Sequence, residues 1–116
     1  MLTKLPGVAA AAALLLACNR QVAGGSTDGA KVYEGACASC HGAAGKPSVS
    51  MASSLNVRDL TDPAFRARVT PALVELQVRK GSSNKIMPGF EGTLSDAQIS
   101  SVVAFIVAGN FAAATP

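Results

Sequence analysis

Residues 37 to 41 read Cys-Ala-Ser-Cys-His, and His41 is the only histidine in the 116-residue chain. Two thiols separated by two residues can add across the two vinyl groups of one haem, and the adjacent imidazole then falls beneath the iron as the proximal ligand. One pentapeptide therefore constrains cofactor (one covalent haem c), chemistry and compartment together. Other uses of Cys-x-x-Cys fail on counting. A structural zinc needs four protein ligands, and outside this run the chain offers only Cys18 and no second histidine. A thioredoxin-like dithiol would sit at a helix start beside a βαβ unit, and no strand-rich pattern precedes Cys37. A plain disulfide would leave His41 at its position by accident.

The start of the chain indicates where such a group is attached. Met1 to Ala17 carries Lys4 and then an apolar run from Ala9 to Leu16, the layout of a secretory signal with a short hydrophobic region, too short to span a bilayer. Leu15-Leu16-Ala17-Cys18 resembles a bacterial lipobox, which implies lipidation of Cys18 as the first mature residue. Cysteine arithmetic supports this: two of the three cysteines serve the haem, and the third would otherwise be an odd thiol in an oxidising compartment. The alternative is ordinary signal cleavage near Val22-Ala23-Gly24 and a soluble periplasmic protein. Residues 18–27 read as the lipidated cysteine and a flexible tether containing Gly24-Gly25-Ser26, with a reach of about 15 to 18 Å for nine residues of coil.

Removing the first 17 of 116 residues leaves 99, enough for one small domain over 28–110 and a C-terminal tail over 111–116. With no Trp, one Tyr and four Phe, such a domain is poor in aromatic bulk, which a haem would supply. Without Lys4 the mature chain keeps nine Lys and Arg against seven Asp and Glu. That balance does not describe a nucleic-acid binder.

The rest reads as helices joined by loops, an all-α class. A first helix starts near Asp28, capped by Ser26, Thr27 or Asp28, and runs to about Ala38, with Gly29 and Tyr33 four apart on one face. Ser95-Asp96-Ala97-Gln98 fits a capping box, and Leu94 with Ile99 a hydrophobic staple. Ile99, Val102, Val103 and Ile106 then form an apolar stripe that Phe105 widens, ending at Gly109. Thr70-Pro71 caps a helix through Lys80, closed by Gly81. A short helical turn is expected over 63–69, and a Ser-rich loop over 48–54.

With the haem motif near the mature amino end, helices at both termini and Met87-Pro88-Gly89-Phe90 downstream, residues 28 to 108 resemble a class I c-type cytochrome. The resemblance implies a small cytochrome c fold in which the first and last helices cross closely at Gly29, Tyr33 and Phe105. It also implies Met87, followed by Pro88, as the distal iron ligand. Elimination leads to the same residue. There is no second imidazole, a lysine would first have to lose its proton, and Met51 sits only ten residues past His41. Pro88 restricts the backbone around Met87 and lowers the cost of holding it.

The family pattern places a proline about twelve residues after the haem histidine, its carbonyl accepting the imidazole Nδ1 proton. Ser53 holds that position here, with Pro47 as the alternative source. Lys46, Arg79, Lys80 and Lys85 form a candidate ring of docking charges at the haem edge, or a plain solvated surface. Arg58 is a candidate partner for a propionate, or again surface charge.

Imidazole plus thioether leaves no open coordination position and stabilises ferrous iron. The expected role is one-electron transfer between redox proteins on the periplasmic side of a bacterial membrane, held by lipid at Cys18. No enzymatic activity and no small-molecule substrate are expected. Two alternatives stay open: a haem subunit of a larger oxidoreductase, and a gas or redox sensor with a labile Met87.

Overall fold

The computed structural model describes residues 21–112. The expected signal segment and Cys18 lie outside the described residues. Within them the chain is helical: α1 (Gly29–Ala36), α2 (Ala38–His41), α3 (Val49–Leu55), α4 (Pro63–Arg68), α5 (Pro71–Lys80) and α6 (Asp96–Ala108). The one β-type pairing described is an isolated bridge between Glu91 and Leu94. No described helix is long and apolar enough to cross a membrane.

Short polar side chains start five of these helices by accepting a hydrogen bond from an otherwise unpaired backbone N–H, each worth about 1 kcal/mol. Asp28 accepts from Ala30, Ser48 from Met51, Asp62 from Phe65 and Thr70 from Leu73. Before α6 the capping box forms in both directions: Ser95 Oγ accepts from Gln98 N, and Gln98 Oε1 accepts from Ser95 N, each at 3.1 Å. Gly81 (φ 73°) ends α5 and Gly109 (φ 72°) ends α6, as their positions in the sequence predict.

α1 and α6 cross at Gly29. A Cβ there would collide with the carbonyl oxygen of Ser101 and reach 3.0 Å from Phe105 Cβ, so only glycine lets the two backbones meet. The crossing buries Val32 against Ile99 and Val102, all three essentially without exposure, and α5 adds Val74 and Val78. Tyr33 packs on Phe105 with ring centroids 5.3 Å apart, as the resemblance implies. A third ring completes the cluster: Phe111 lies 5.2 Å from Tyr33 and 5.6 Å, edge-on, from Phe105. The domain therefore continues at least to Phe111, a correction to the expected tail from 111. The aromatic area it would otherwise expose draws it back onto the core.

The other domain boundary also moves. Instead of a free tether through Thr27, the chain from Val22 to Gly25 makes a tight turn with Ala23 and Gly24 left-handed (φ 55° and 62°). The amide of Gln98, only 5% exposed, holds it there: Nε2 donates to the carbonyls of Val22 and Ser26, both at 3.0 Å. Val22 packs where Gly35 has no side chain. One buried amide thus joins the α6 cap to the amino-terminal turn.

Two helical readings also shift. The first helix breaks at Cys37 (φ −122°) and restarts for one turn as α2. The Ser-rich stretch is not a loop but α3, closed by Asn56 in a left-handed conformation. Serines lower helix propensity, but Ser48 as a cap outweighs that over seven residues.

Gly29→Ala should destabilise the folded protein by about 1–3 kcal/mol through overpacking. The measurement is the denaturant midpoint, which should fall at unchanged slope.

Candidate metal centre

α2 is a single turn whose purpose is geometric: it buries Cys37 (8% exposed), leaves Cys40 at the surface and ends on His41. Both thiols are free of disulfide bonding. Burial, and secondarily Cys40, pushes the Cys37 thiol up to about 11. That is the reverse of the lowered value that a dithiol-exchange motif requires. Among the described residues no cluster of three or more His, Cys, Asp and Glu side chains could hold a bare metal ion, which removes the zinc alternative there as well.

The imidazole is fixed through its Nδ1, which donates to the backbone carbonyl of Arg58 at 3.0 Å. A carbonyl can only accept, so Nδ1 carries the proton and Nε2 keeps its lone pair for a metal. Burial, and to a smaller degree the charge of Arg58, lowers the His41 pKa against the raising effect of that bond. The acceptor is thus neither Ser53 nor Pro47, a correction to both expectations. Ser53 lies inside α3, where carbonyls run along the helix axis, and Pro47 precedes that helix. The chain must leave α3 before a carbonyl can turn to the ring, and Arg58 lies two residues past the left-handed Asn56. Leu60 N, donating to Gly45 O at 2.8 Å, ties this strap to the loop that follows His41.

Tyr33 secures the same region from the core side. Its hydroxyl donates to Gly42 O at 2.7 Å, directly after His41. Burial above all, then Cys37, keeps the phenol protonated far above its ordinary range. Gly42 (φ 81°) lets the chain turn sharply against Lys46. The Arg58 guanidinium sits over Phe65, 5.5 Å from the ring centroid, in cation–π range.

Met87 is half-buried and packs against the core. Its loop leaves α5 at Gly81 and rejoins the fold where Phe90 N donates to Val78 O at 2.8 Å. Met51 is also half-buried, but on α3. The predicted ring of docking cations is incomplete. Arg79 is held by Glu75 (3.1 Å), Asp96 (3.0 Å) and Glu91 (3.8 Å), with its side chain only 23% exposed. It clasps the end of α5 to the start of α6 and is not free for a partner. Lys80 pairs with Glu91 at 2.9 Å, and Lys85 Nζ donates to Lys80 O at 3.3 Å. Lys46 is exposed.

These features suit a haem. They comprise two unpaired thiols, an imidazole with one nitrogen anchored and the other available, and a half-buried thioether on a constrained loop. Leu55, Leu73, Leu76 and Ile86 remain 39–61% exposed, apolar surface of the kind that a large apolar cofactor covers.

The fold is that of c-type cytochromes: the structure of the c-type cytochrome KustC0563 matches with a TM-score of 0.63 at 24% identity over 71% of this chain and 96% of that one. A tyrosine-to-phenylalanine variant of that cytochrome matches at 0.62 and 23% identity, over 72% and 99%. Residues 25–106 match the family model described as cytochrome c oxidase, cbb3-type, subunit III. The chain belongs to that family, and it is a monohaem class I c-type cytochrome with covalently bound haem c. No curated protein matches significantly. The family carries electrons between redox protein partners.

Tyr33→Phe keeps the aromatic cluster and removes only the bond to Gly42. It should cost about 1 kcal/mol, read as a lower urea midpoint than that of the unmodified holoprotein.

Proposed function

We propose that this protein is a periplasmic one-electron carrier whose haem is joined through thioethers to Cys37 and Cys40 and ligated by His41 Nε2 and Met87 sulfur. The observation that carries the reading is the Nδ1 bond from His41 to Arg58 O. It supports a ring pre-set as a neutral nitrogen ligand, the arrangement that outer partners impose on metal-bound histidines. The haem supplies the redox couple. The chain supplies orientation, exclusion of water and a fixed pair of axial donors. With His41 and Met87 both ligating, the iron would keep no position for a substrate, and the protein would act by electron transfer and not as an enzyme by itself.

Lipidation at Cys18 would hold the domain at a membrane, since several acyl chains on one residue give stable anchoring at about 0.8 kcal/mol per buried methylene. Cys18→Ser should release the protein from the membrane fraction, and mass spectrometry of the native amino terminus should find acyl chains on Cys18. Partners with acidic docking faces would meet Lys46 and Lys85, so association should slow as salt rises.

A second reading is favoured by the family match itself: the domain is the haem c relay of a terminal oxidase. Stoichiometric co-purification with oxidase subunits would establish it over a free carrier.

Met87→Ala is the decisive test of ligation. It should abolish the weak far-red ferric band given by methionine sulfur, lower the reduction potential and let carbon monoxide bind the ferrous form. An unchanged spectrum and potential would remove Met87 from the iron. Carbon monoxide binding to the unmodified ferrous protein would instead favour a sensor with a labile Met87.

A further inference from the structure

We propose that Ser82 is a positioning residue for Met87, its hydroxyl locking the loop Ser82–Met87 so that the thioether stays directed at the iron. The inference rests on Met87 as the axial ligand, the reading given above.

The loop is closed on itself at both ends by one residue. Ser82 N donates to Met87 O at 3.0 Å, and Met87 N donates back to Ser82 Oγ at 3.0 Å. The Ser82 hydroxyl donates to Asn84 Oδ1 at 2.7 Å, its nearer acceptor, with Met87 O at 3.4 Å, and the same oxygen of Asn84 accepts from Ile86 N at 3.1 Å. Lys85 N donates to Ser82 O at 3.0 Å. These bonds all lie within Ser82–Met87, and Ser82 Oγ is the atom among them that both receives from Met87 and gives to the loop interior.

The backbone needs such a lock. Lys85 is held left-handed (φ 62°), a conformation that a lysine keeps only when its surroundings over-determine it. Gly81 (φ 73°) precedes the loop and has no room for a Cβ, which would collide with Met87 O. The chain enters and leaves the loop in contact with itself, and the Ser82–Met87 bonds are what maintain that contact. Loss of the hydroxyl would strip Met87 N of its partner in a half-buried position and leave one bond across the loop's mouth. The loop's other links to α5, from Lys85 Nζ to Lys80 O within it and through Phe90 and Glu91 beyond Met87, do not fix the Met87 N–H. Ser82 therefore acts on the balance between bound and released thioether, and leaves the helical packing alone.

The experiment compares holoprotein carrying Ser82→Ala, Ser82→Thr and Asn84→Ala with the unmodified protein and with Met87→Ala. The readouts are the far-red ferric band, the reduction potential and the rate of carbon monoxide binding to the ferrous form. Thermal unfolding monitors the fold. Ser82→Ala should raise the population with Met87 released about five- to tenfold, the equivalent of one net hydrogen bond. It would appear as faster carbon monoxide binding and as loss of the far-red band at lower denaturant concentration. Ser82→Thr, which keeps the oxygen, should restore unmodified behaviour. Asn84→Ala, which leaves Ser82 in place but removes its nearer acceptor and that of Ile86 N, should move the same readouts in the same direction by a smaller amount and serves if Ser82→Ala does not fold. Unmodified band, potential and carbon monoxide kinetics in Ser82→Ala, or in Asn84→Ala where it alone folds, would overturn the role of Ser82. Failure of the ligand reading is separate, since it would show as an unaltered band and potential in Met87→Ala.

Discussion

The contact of α1 and α6 at Gly29 is the constraint from which the haem-binding turn takes its place. Without a Cβ at Gly29 the α6 backbone at Ser101 reaches that of α1, and this depth brings Tyr33 between Phe105 and Phe111. Packing leaves the Tyr33 hydroxyl one direction, towards Gly42 O, the carbonyl that follows His41. The helix α2, which starts after Cys37 and carries Cys40 and His41, is one turn long and could not hold itself. Its orientation is borrowed from α1 through Cys37 N, bonded to Tyr33 O at 2.9 Å, and from the core through Tyr33. A helix crossing thus becomes a position for an imidazole.

Those parts of the fold that rest on local chemistry were legible in the sequence. Capping residues at 28, 70 and 95, the stripe from Ile99 to Ile106 and the glycine stops at 81 and 109 act within a few residues of themselves. What was hidden depends on contacts across the chain. The acceptor for His41 is a carbonyl, which every residue has, so nothing about Arg58 as a side chain marks it. It was displaced from Ser53 because α3 uses up the intervening backbone. Phe111 lies past the end of the last helix, outside any periodic pattern, and reveals itself only through Tyr33. Gln98 could be read as a capping residue, since that role is local. Its grip on Val22 and Ser26 reaches more than 70 positions back along the chain.

Cationic side chains show the same division. Composition alone makes Arg79 look like a surface charge, yet it bridges Glu75, Glu91 and Asp96. Arg66 is another case: its guanidinium donates to Ile106 O at 2.9 Å and Val107 O at 2.6 Å. It satisfies carbonyls that the end of α6 leaves unpaired and opposes the negative end of that helix. Both arginines fix helix termini with the multiple donors that a lysine lacks. Among the exposed charges, Lys46 and Lys85 carry the strongly hydrated ammonium groups that suit long-range steering. Such groups accelerate encounter more than they tighten a complex, which is what a carrier that must release its partner requires.

The two proposed iron ligands are held by different kinds of bond, and the difference has consequences for how each side tolerates change. On the histidine side the acceptor is main chain, its strap tied by another main-chain bond from Leu60 to Gly45. Side-chain substitution at Arg58 or Leu60 leaves those atoms in place, so this side is governed by the path of the chain. On the methionine side the loop is closed through the side chains of Ser82 and Asn84. One atom's loss there changes the closure directly. A thioether is also a weak ligand, and little in its own bond resists departure. With that proposed ligation, the methionine side is where single substitutions would tune the potential and the lability of the iron, while the histidine side would hold its ligand in place through the main chain.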